Sequence, residues 1–300
     1  MNRFSIWLSA IRLRTLPLSI SGIIVAGCLA AYNGVFDWLI FLLAISVTLS
    51  YQILSNLAND YGDGVKGTDN NDRIGPQRVI QSGAITPKSM LNAIRLNVFV
   101  SIVLTLLLIF FAFGAADLLL ILLFFTLGVL SVIAAIKYTV GDNAYGYKGL
   151  GDFFVFLFFG LVSVIGGYFL FAKQIDHVTF LPAITIGLLS AGVLNLNNMR
   201  DINSDIKSNK ITKAVKLGVE RSKNYHYFLV VGALVSSFLF GILYYTSPFN
   251  LVFIVAYIPL IKHIMTVKNN TNPKDLDPEL KKLALSTVLL SILLGVGHLF

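Results

Sequence analysis

Residues 37–63 read DWLIFLLAISVTLSYQILSNLANDYGD. Positions 37–58 form a nearly uninterrupted apolar run, long enough as a helix to cross the roughly 30 Å hydrocarbon core of a bilayer. The run then ends in Asn56, Asn59, Asp60 and Asp63. Carboxylates beside a bilayer are costly to place, so a set of them closing a span points to function. The pattern recurs at residues 195–205, NLNNMRDINSD, which also closes an apolar run.

The same kind of run repeats along the chain. Of its 300 residues, 56% are apolar and 13% charged, a balance that suits a polytopic membrane protein and not a water-soluble fold. Membrane-length runs fall at 15–33, 37–58, 90–113, 117–140, 150–172, 178–199, 225–246, 248–268 and 282–300, nine in all. The expected fold is an all-α membrane protein: nine transmembrane helices in one bundle, a cytoplasmic cap of loops and short helices, and a single domain over residues 1–300. The lone cysteine, Cys28, allows no disulfide, so helix packing must hold the bundle. Val25-Ala26-Gly27-Cys28 has the form of a lipoprotein cleavage site, but the apolar run continues past it to Ala31. Small residues such as Ser21-Gly22 and Gly166-Gly167 are expected to let helices approach closely.

The net charge of +8 is distributed as a topology signal, not as a nucleic-acid footprint. Arg3, Arg12 and Arg14 precede the first helix, and the loops with Lys66, Arg73, Arg78 and Lys88, with Lys207 to Lys223 and with Lys268 to Lys282 fall on that same side. The alternate loops, Asn33 to Asp37, Gly114 to Asp117, Lys173 to His177 and Thr246 to Asn250, are short and nearly free of cations. The cation-rich side is therefore the cytoplasm, and the C-terminus faces outward. Both acidic motifs follow even-numbered helices, the second and the sixth, so both lie on the cytoplasmic face and can share one mouth.

Asn197, Asp201 and Asp205 are four apart and project from one helix face. Asn56 and Asp60 repeat that spacing, with Asp63 one turn on and Asp69 and Asp72 in the loop beyond. Amide and carboxylate oxygens are hard ligands, and Mg²⁺ takes a few of them together with water and substrate phosphate oxygens. Two such sets face to face read as a diphosphate clamp, with Asn56, Asp60, Asp63, Asn197, Asp201 and Asp205 as the metal ligands. Helix capping accounts for an isolated Asp. It does not account for six of fifteen acidic residues in two Asn-led clusters. Lys66, Arg73, Arg78 and Arg200 are placed to meet phosphate oxygens, whereas Lys207, Lys210, Lys213 and Lys216 read as topology charges. The four histidines, His177, His226, His263 and His298, are expected to form no cluster and carry no catalysis.

In these motifs the chain resembles the UbiA-type intramembrane prenyltransferases, whose members carry two NxxxDxxxD motifs on a nine-helix bundle. The second motif matches in full, while the first has its last Asp one residue early. Within that superfamily, NDYGDGVKGTDNNDRIGPQR at 59–78, YTVG and YGYKGLGD at 138–152, NNMRDINSD running on to KAVKLG, and IRLRTLP at 11–17 resemble the members that prenylate 1,4-dihydroxy-2-naphthoate. The resemblance implies a polyprenyl diphosphate donor, Mg²⁺, and prenylation at the carbon bearing the carboxylate with loss of CO₂, giving demethylmenaquinol in a bacterial inner membrane. Asp152 and Tyr138 are the candidate catalytic residues, with Asp152 an acid/base or substrate-orienting group or else a helix cap. Arg14 is the candidate partner of the acceptor carboxylate. Enzymes acting on 4-hydroxybenzoate place a Lys four residues after the matching Tyr, where this chain has Asp142. Lys137 and Lys148 are the candidates to replace it, with Lys148 as a diphosphate contact. FFVFLFF at 153–159 is either a wall shielding an allylic cation or ordinary packing.

Two other classes also place acidic groups in membrane proteins. An ion-coupled transporter would place its acids near the bilayer midplane, not at helix ends on one side. A CDP-alcohol phosphotransferase would carry a DGxxAR signature, absent here.

Overall fold

The computed structural model describes residues 2–13, 15–69, 74–115 and 117–300. Among these there is no strand, and nine helical segments have the length and composition to cross a membrane: Arg3–Tyr32, Trp38–Val65, Pro87–Phe113, Leu118–Lys137, Gly151–Ala172, His177–Arg200, Val219–Leu243, Pro248–Asn269 and Pro273–Leu299. They are called the first to ninth spans below. The expected all-α membrane fold is the observed one.

The sparse acids at the end remote from the motifs start helices. Asp37, Asp117 and Asp176 each accept from a backbone N–H of the following turn, at 2.9, 3.1 and 3.0 Å, and so open the second, fourth and sixth spans. Thr86 with Pro87 and Ser247 with Pro248 start the third and eighth.

The most apolar spans, the third and fourth, turn large side chains such as Phe99 and Leu119 outward, where lipid would lie. The sixth, richer in small and polar residues, packs against the fifth, seventh and ninth and is the most enclosed. Apolar burial does not draw helices together in lipid, so close steric fit must. A Cβ on Gly160 of the fifth span would lie 2.5 Å from the Ala183 carbonyl oxygen and 2.7 Å from the Cα of Gly187 in the sixth. The expectation for small residues holds at Gly22, packed on Ser163, and at Gly167, packed on Ala26. Cys28 sits mid-helix against Gly295.

Helix ends depart from the sequence reading where side chains override composition. The second span continues to Val65, seven residues past the apolar run, so the whole first motif is helical. The first span is broken: a helix over Arg3–Ile11 ends at Arg12, which adopts the left-handed conformation (φ 57°), and helix resumes at Leu16–Ser19 and Ser21–Tyr32. The fifth span is π-helical over Phe156–Gly166, a widened turn that shifts which residues face inward. The histidines do not stay apart: His226 Nε2 and His263 Nε2 meet at 2.8 Å in the buried interior, and His263 Nδ1 meets Glu279 at 2.7 Å. That meeting needs the seventh, eighth and ninth spans to pack together, which linear spacing does not express.

Candidate active site

Both motifs open into one cavity of about 370 Å³ lined by the first six spans, the loops between them and the start of the ninth. In the first motif, i, i+4, i+7 spacing sets Asn56, Asp60 and Asp63 on one face of the second span. Gly62 sits on the adjacent face, where a Cβ would meet Thr139 Oγ1 at 2.5 Å and its carbonyl carbon at 2.8 Å. The missing side chain lets the loop after the fourth span lie on this helix, and Thr139 donates to the Ala58 carbonyl at 3.0 Å.

Asn56 donates to the Ile11 carbonyl at 2.7 Å and so ties the second span to the broken first one. The break turns Arg12 onto Asp60, with which it pairs, and the Nε of Arg78 lies 3.5 Å from the same carboxylate oxygen. A left-handed non-glycine residue costs about 1–2 kcal/mol, a cost that a charge-assisted bond of this kind offsets. Asp63 is held at both oxygens: Oδ1 accepts from Tyr147 at 2.7 Å and Oδ2 from Lys210 at 2.8 Å. The Asn59 amide, oriented to suit its neighbours, donates to Asp63 Oδ2 at 2.9 Å and accepts from Arg12 at 3.2 Å.

In the second motif the helix Phe180–Arg200 gives way at Asp201 to a short helix, Ile202–Lys207, but i, i+4 bonding carries across: Asp201 N–H donates to the Asn197 carbonyl at 3.1 Å and Asp205 N–H to the Asp201 carbonyl at 2.9 Å. Asn197, Asp201 and Asp205 therefore share a face, and all three line the cavity. Arg200 is wholly buried. It donates to both Asp201 oxygens at 2.8 and 2.6 Å, to Asn197 at 2.9 Å and to Asp277 at the start of the ninth span.

Of the residues singled out from the sequence, Asn56, Asp63, Arg78, Tyr138, Asn197, Asp201 and Asp205 line the cavity. Asp60 stands just behind it, joined to the lining residues Arg12 and Arg78. Lys66, Lys148, Asp152 and Arg200 are not brought to the lining. Lys66 donates to the Gly141 carbonyl at 2.8 Å and lies over the Tyr147 ring, and exposed Lys148 donates to Asn143 at 2.9 Å. Asp152 is buried in the first turn of the fifth span with its Oδ1 unpartnered. Arg14 and Arg73, and with them Asp72, lie outside the described residues.

The sequence reading missed Lys210, Arg12, Tyr147 and Asp277 as members of the site. Lys210 and Asp63 are 147 residues apart, and a Lys in a loop carries no mark that separates a ligand from a topology charge. Burial alone would drive the Lys210 ammonium toward neutrality, but the Asp63 and Asp205 carboxylates prevail and hold it above the ordinary lysine range. Burial, with Asp63 close by, pushes the Tyr147 and Tyr138 phenols up, so both stay neutral donors. Lys66 is drawn down by partial burial, against the pull of Asp63.

The 153–159 aromatics divide by face. Phe154, Phe158 and Phe159 line the cavity, Phe153 points outward, and Phe156 packs on Gly187. Tyr138, Tyr145, Phe154 and Phe158 follow one another at ring separations of 5.4, 4.2 and 6.4 Å, forming a π surface beneath the polar mouth.

Whether the donor set suits Mg²⁺ is a matter of its chemistry. The oxygens are hard and face one chamber, but among the described residues no three His, Cys, Asp or Glu side chains converge into a ready cage. This fits an ion that relies on one or two carboxylates and completes its shell with water and phosphate oxygens.

A polar mouth of two Asn/Asp sets with Arg and Lys, above an aromatic and apolar chamber within a helical bundle, matches known proteins along its whole length. A 1,4-dihydroxy-2-naphthoate octaprenyltransferase of Escherichia coli (strain K12) is 42% identical over 297 residues, covering 99% of this chain and 96% of the relative. Enzymes of the same name from Haemophilus influenzae and Mycobacterium tuberculosis are 39% and 34% identical, covering 99% and 95% of this chain and 97% and 94% of theirs. In fold, the chain superposes on a UbiA homolog from Archaeoglobus fulgidus bound to DMAPP and Mg²⁺ with TM-score 0.64 at 13% identity, over 97% of this chain and 99% of that one. It superposes on a digeranylgeranylglyceryl phosphate synthase with TM-score 0.63 at 21% identity, over 100% and 99% of the two chains. The profile of the UbiA prenyltransferase family matches residues 20–286, and with near-full-length relatives at this identity the chain belongs to that family.

Proposed function

We propose that this chain transfers a polyprenyl group from a polyprenyl diphosphate to 1,4-dihydroxy-2-naphthoate, releasing CO₂ and diphosphate and forming demethylmenaquinol. The observation that carries the reading is the single cavity in which both Asn/Asp motifs meet above an aromatic wall. The diphosphate lies at the polar mouth and the hydrocarbon tail runs into the apolar chamber, a division that suits the solubility of each end. Asn56, Asp60, Asp63, Asn197, Asp201 and Asp205 are the residues that would hold Mg²⁺. When bound, the ion neutralises charge that builds on the departing diphosphate.

The carbon–oxygen bond to diphosphate breaks, leaving an allylic cation. Phe154, Phe158 and Tyr145 face it with π clouds and exclude water. The electron-rich ring attacks through the carbon bearing the carboxylate, a carbon–carbon bond forms, and CO₂ departs with the electron pair of its bond returned to the ring. Tyr138, kept neutral, acts as a donor to the acceptor or to diphosphate. Asp152 remains the acid/base or orienting group, reached through the Tyr138 side of the wall because it does not line the cavity itself. Arg78 meets phosphate oxygens directly. Lys66 and Lys148 supply positive potential near the mouth, and Arg200 acts through Asp201 and Asn197; for Arg73 and Arg14, outside the described residues, the roles proposed are those read from the sequence, phosphate oxygens for the one and the acceptor carboxylate for the other.

The cation-rich motif end faces the cytoplasm of a bacterial inner membrane, with residues 1–300 acting as one unit. The test incubates membranes holding the protein with Mg²⁺, a polyprenyl diphosphate and each acceptor in turn. Prenylated naphthoquinol with CO₂ release is the expected product. Consumption of 4-hydroxybenzoate with the dihydroxynaphthoate untouched would overturn the assignment.

A further inference from the structure

Among the described residues the cavity lining carries four carboxylates, Asp63, Asp69, Asp201 and Asp205, balanced by four cations, Arg12, Arg78, Lys210 and Lys281. Three of these cations pair with motif carboxylates, Arg78 with Asp60 at the longer distance of 3.5 Å and two others more closely. Lys210 holds Asp63 and Arg12 holds Asp60, which is 1% exposed just behind the lining. A divalent cation arriving alone would have to push an ammonium or guanidinium off a buried carboxylate and leave two extra positive charges in a low-dielectric site, which is unfavourable. A divalent cation arriving with diphosphate brings its own counter-charge and gives the displaced donors new acceptors. Arg200 differs. It is wholly buried, off the lining and bonded to Asp201, Asn197 and Asp277, so it is not placed to exchange.

Building on the function proposed above, we infer that Arg12 and Lys210 are exchange residues: on loading, Asp60 and Asp63 pass from these cations to the metal, and the two cations pass to the phosphate oxygens. Metal and diphosphate then bind as a strongly coupled pair. The coupling is reciprocal, each raising the affinity of the other by the same factor. Lys210 has the reach for this, on a flexible four-carbon stem that follows the left-handed turn at Asn209 (φ 54°).

The experiment is equilibrium dialysis of the full-length protein in nanodiscs against radiolabelled Mn²⁺, with and without inorganic pyrophosphate, at matched free Mn²⁺. For the unaltered protein, pyrophosphate is expected to tighten Mn²⁺ binding by about tenfold or more. Lys210→Met is expected to tighten Mn²⁺ binding in the absence of pyrophosphate and to shrink the pyrophosphate effect. Arg12→Gln, which keeps a donor toward Asp60, should do the same and serves if Lys210→Met fails to fold. Lys88→Met controls for general electrostatics, since Lys88 is exposed at the start of the third span and off the cavity lining; both quantities should stay near those of the unaltered protein. Full-affinity Mn²⁺ binding without pyrophosphate, or equal effects of Lys88→Met and Lys210→Met, would overturn the exchange while leaving the metal-diphosphate reading intact. Absence of Mn²⁺ binding even with pyrophosphate would overturn both.

Discussion

Asp63 and Asp201, one from each motif, are held in opposite ways. Asp63 is shared among Tyr147, Lys210 and Asn59, each from a different part of the chain. Asp201 is gripped by the neighbouring Arg200, whose remaining donors reach Asn197 and Asp277. Arg200→Gln strips a buried guanidinium from the buried Asp201 carboxylate and is expected to destabilise the protein by about 3–5 kcal/mol and to weaken metal binding by roughly 10–100-fold. Thermal unfolding in detergent and Mn²⁺ titration measure the two effects. Loss of turnover with unchanged melting would instead mean that the guanidinium contacts phosphate. Asp60→Ala and Asp201→Ala are expected to lower turnover beyond the roughly 10–100-fold typical of an outer partner, with folded protein still recovered from the membrane. Turnover retained at ordinary Mg²⁺ would remove them as ligands. The oxygen-rich spacing of these residues was legible in the sequence. Their counter-ions were not, because a Lys or Arg in a cation-rich loop has the same sequence context whether it sets topology or meets a carboxylate.

At the scale of the element, the second span explains why its motif was only half readable. Hydropathy ends the helix near residue 58, but the backbone continues to Val65 because the polar residues of the last two turns find partners on neighbouring elements. The shortened last spacing of the first motif thereby becomes an i+3 step on a continuous helix, and Asp63 stays on the face of Asn56 and Asp60. Gly62→Val places atoms where Thr139 already stands and is expected to cost about 1–3 kcal/mol by overpacking. It should also lower activity by moving the loop that carries Tyr138; a melting temperature and a turnover rate matching the unaltered protein would contradict this. The π-helical turn of the fifth span is the other element that hydropathy misses, since its residues are almost all apolar and hydropathy does not distinguish i+4 from i+5 bonding; the turn packs closely on Gly22, Ala183 and Gly187.

For the whole molecule, the two ends are chemically distinct. The motif end gathers Arg12, Arg78, Lys210 and Lys281 around the cavity, and the other end is tied by neutral pairs such as Asn33 with Tyr168 and Asn250 with His298. In a Cys28→Ser background, Asn143→Cys should react with thiol reagents only from the cytoplasmic side and Ala115→Cys only from outside; the reverse pattern would invert the proposed orientation. Chelating divalent metal should abolish turnover and restoring Mg²⁺ should recover it, read from product formation in the same membranes.

The sequence by itself determined the nine-span helical membrane fold, the two oxygen-donor sets and their common end, because span length, hydropathy, charge asymmetry and helical spacing are local quantities that need no partner. Family membership was legible for a related reason: the motif loops are contiguous stretches. Tertiary structure alone decided which cation meets which carboxylate, that Arg200 serves Asp201 from behind the cavity, which of the Phe153 to Phe159 rings face inward, and that His226 and His263 meet. These are choices among chemically equivalent candidates far apart in the chain, and only the packing of spans rich in small residues selects between them.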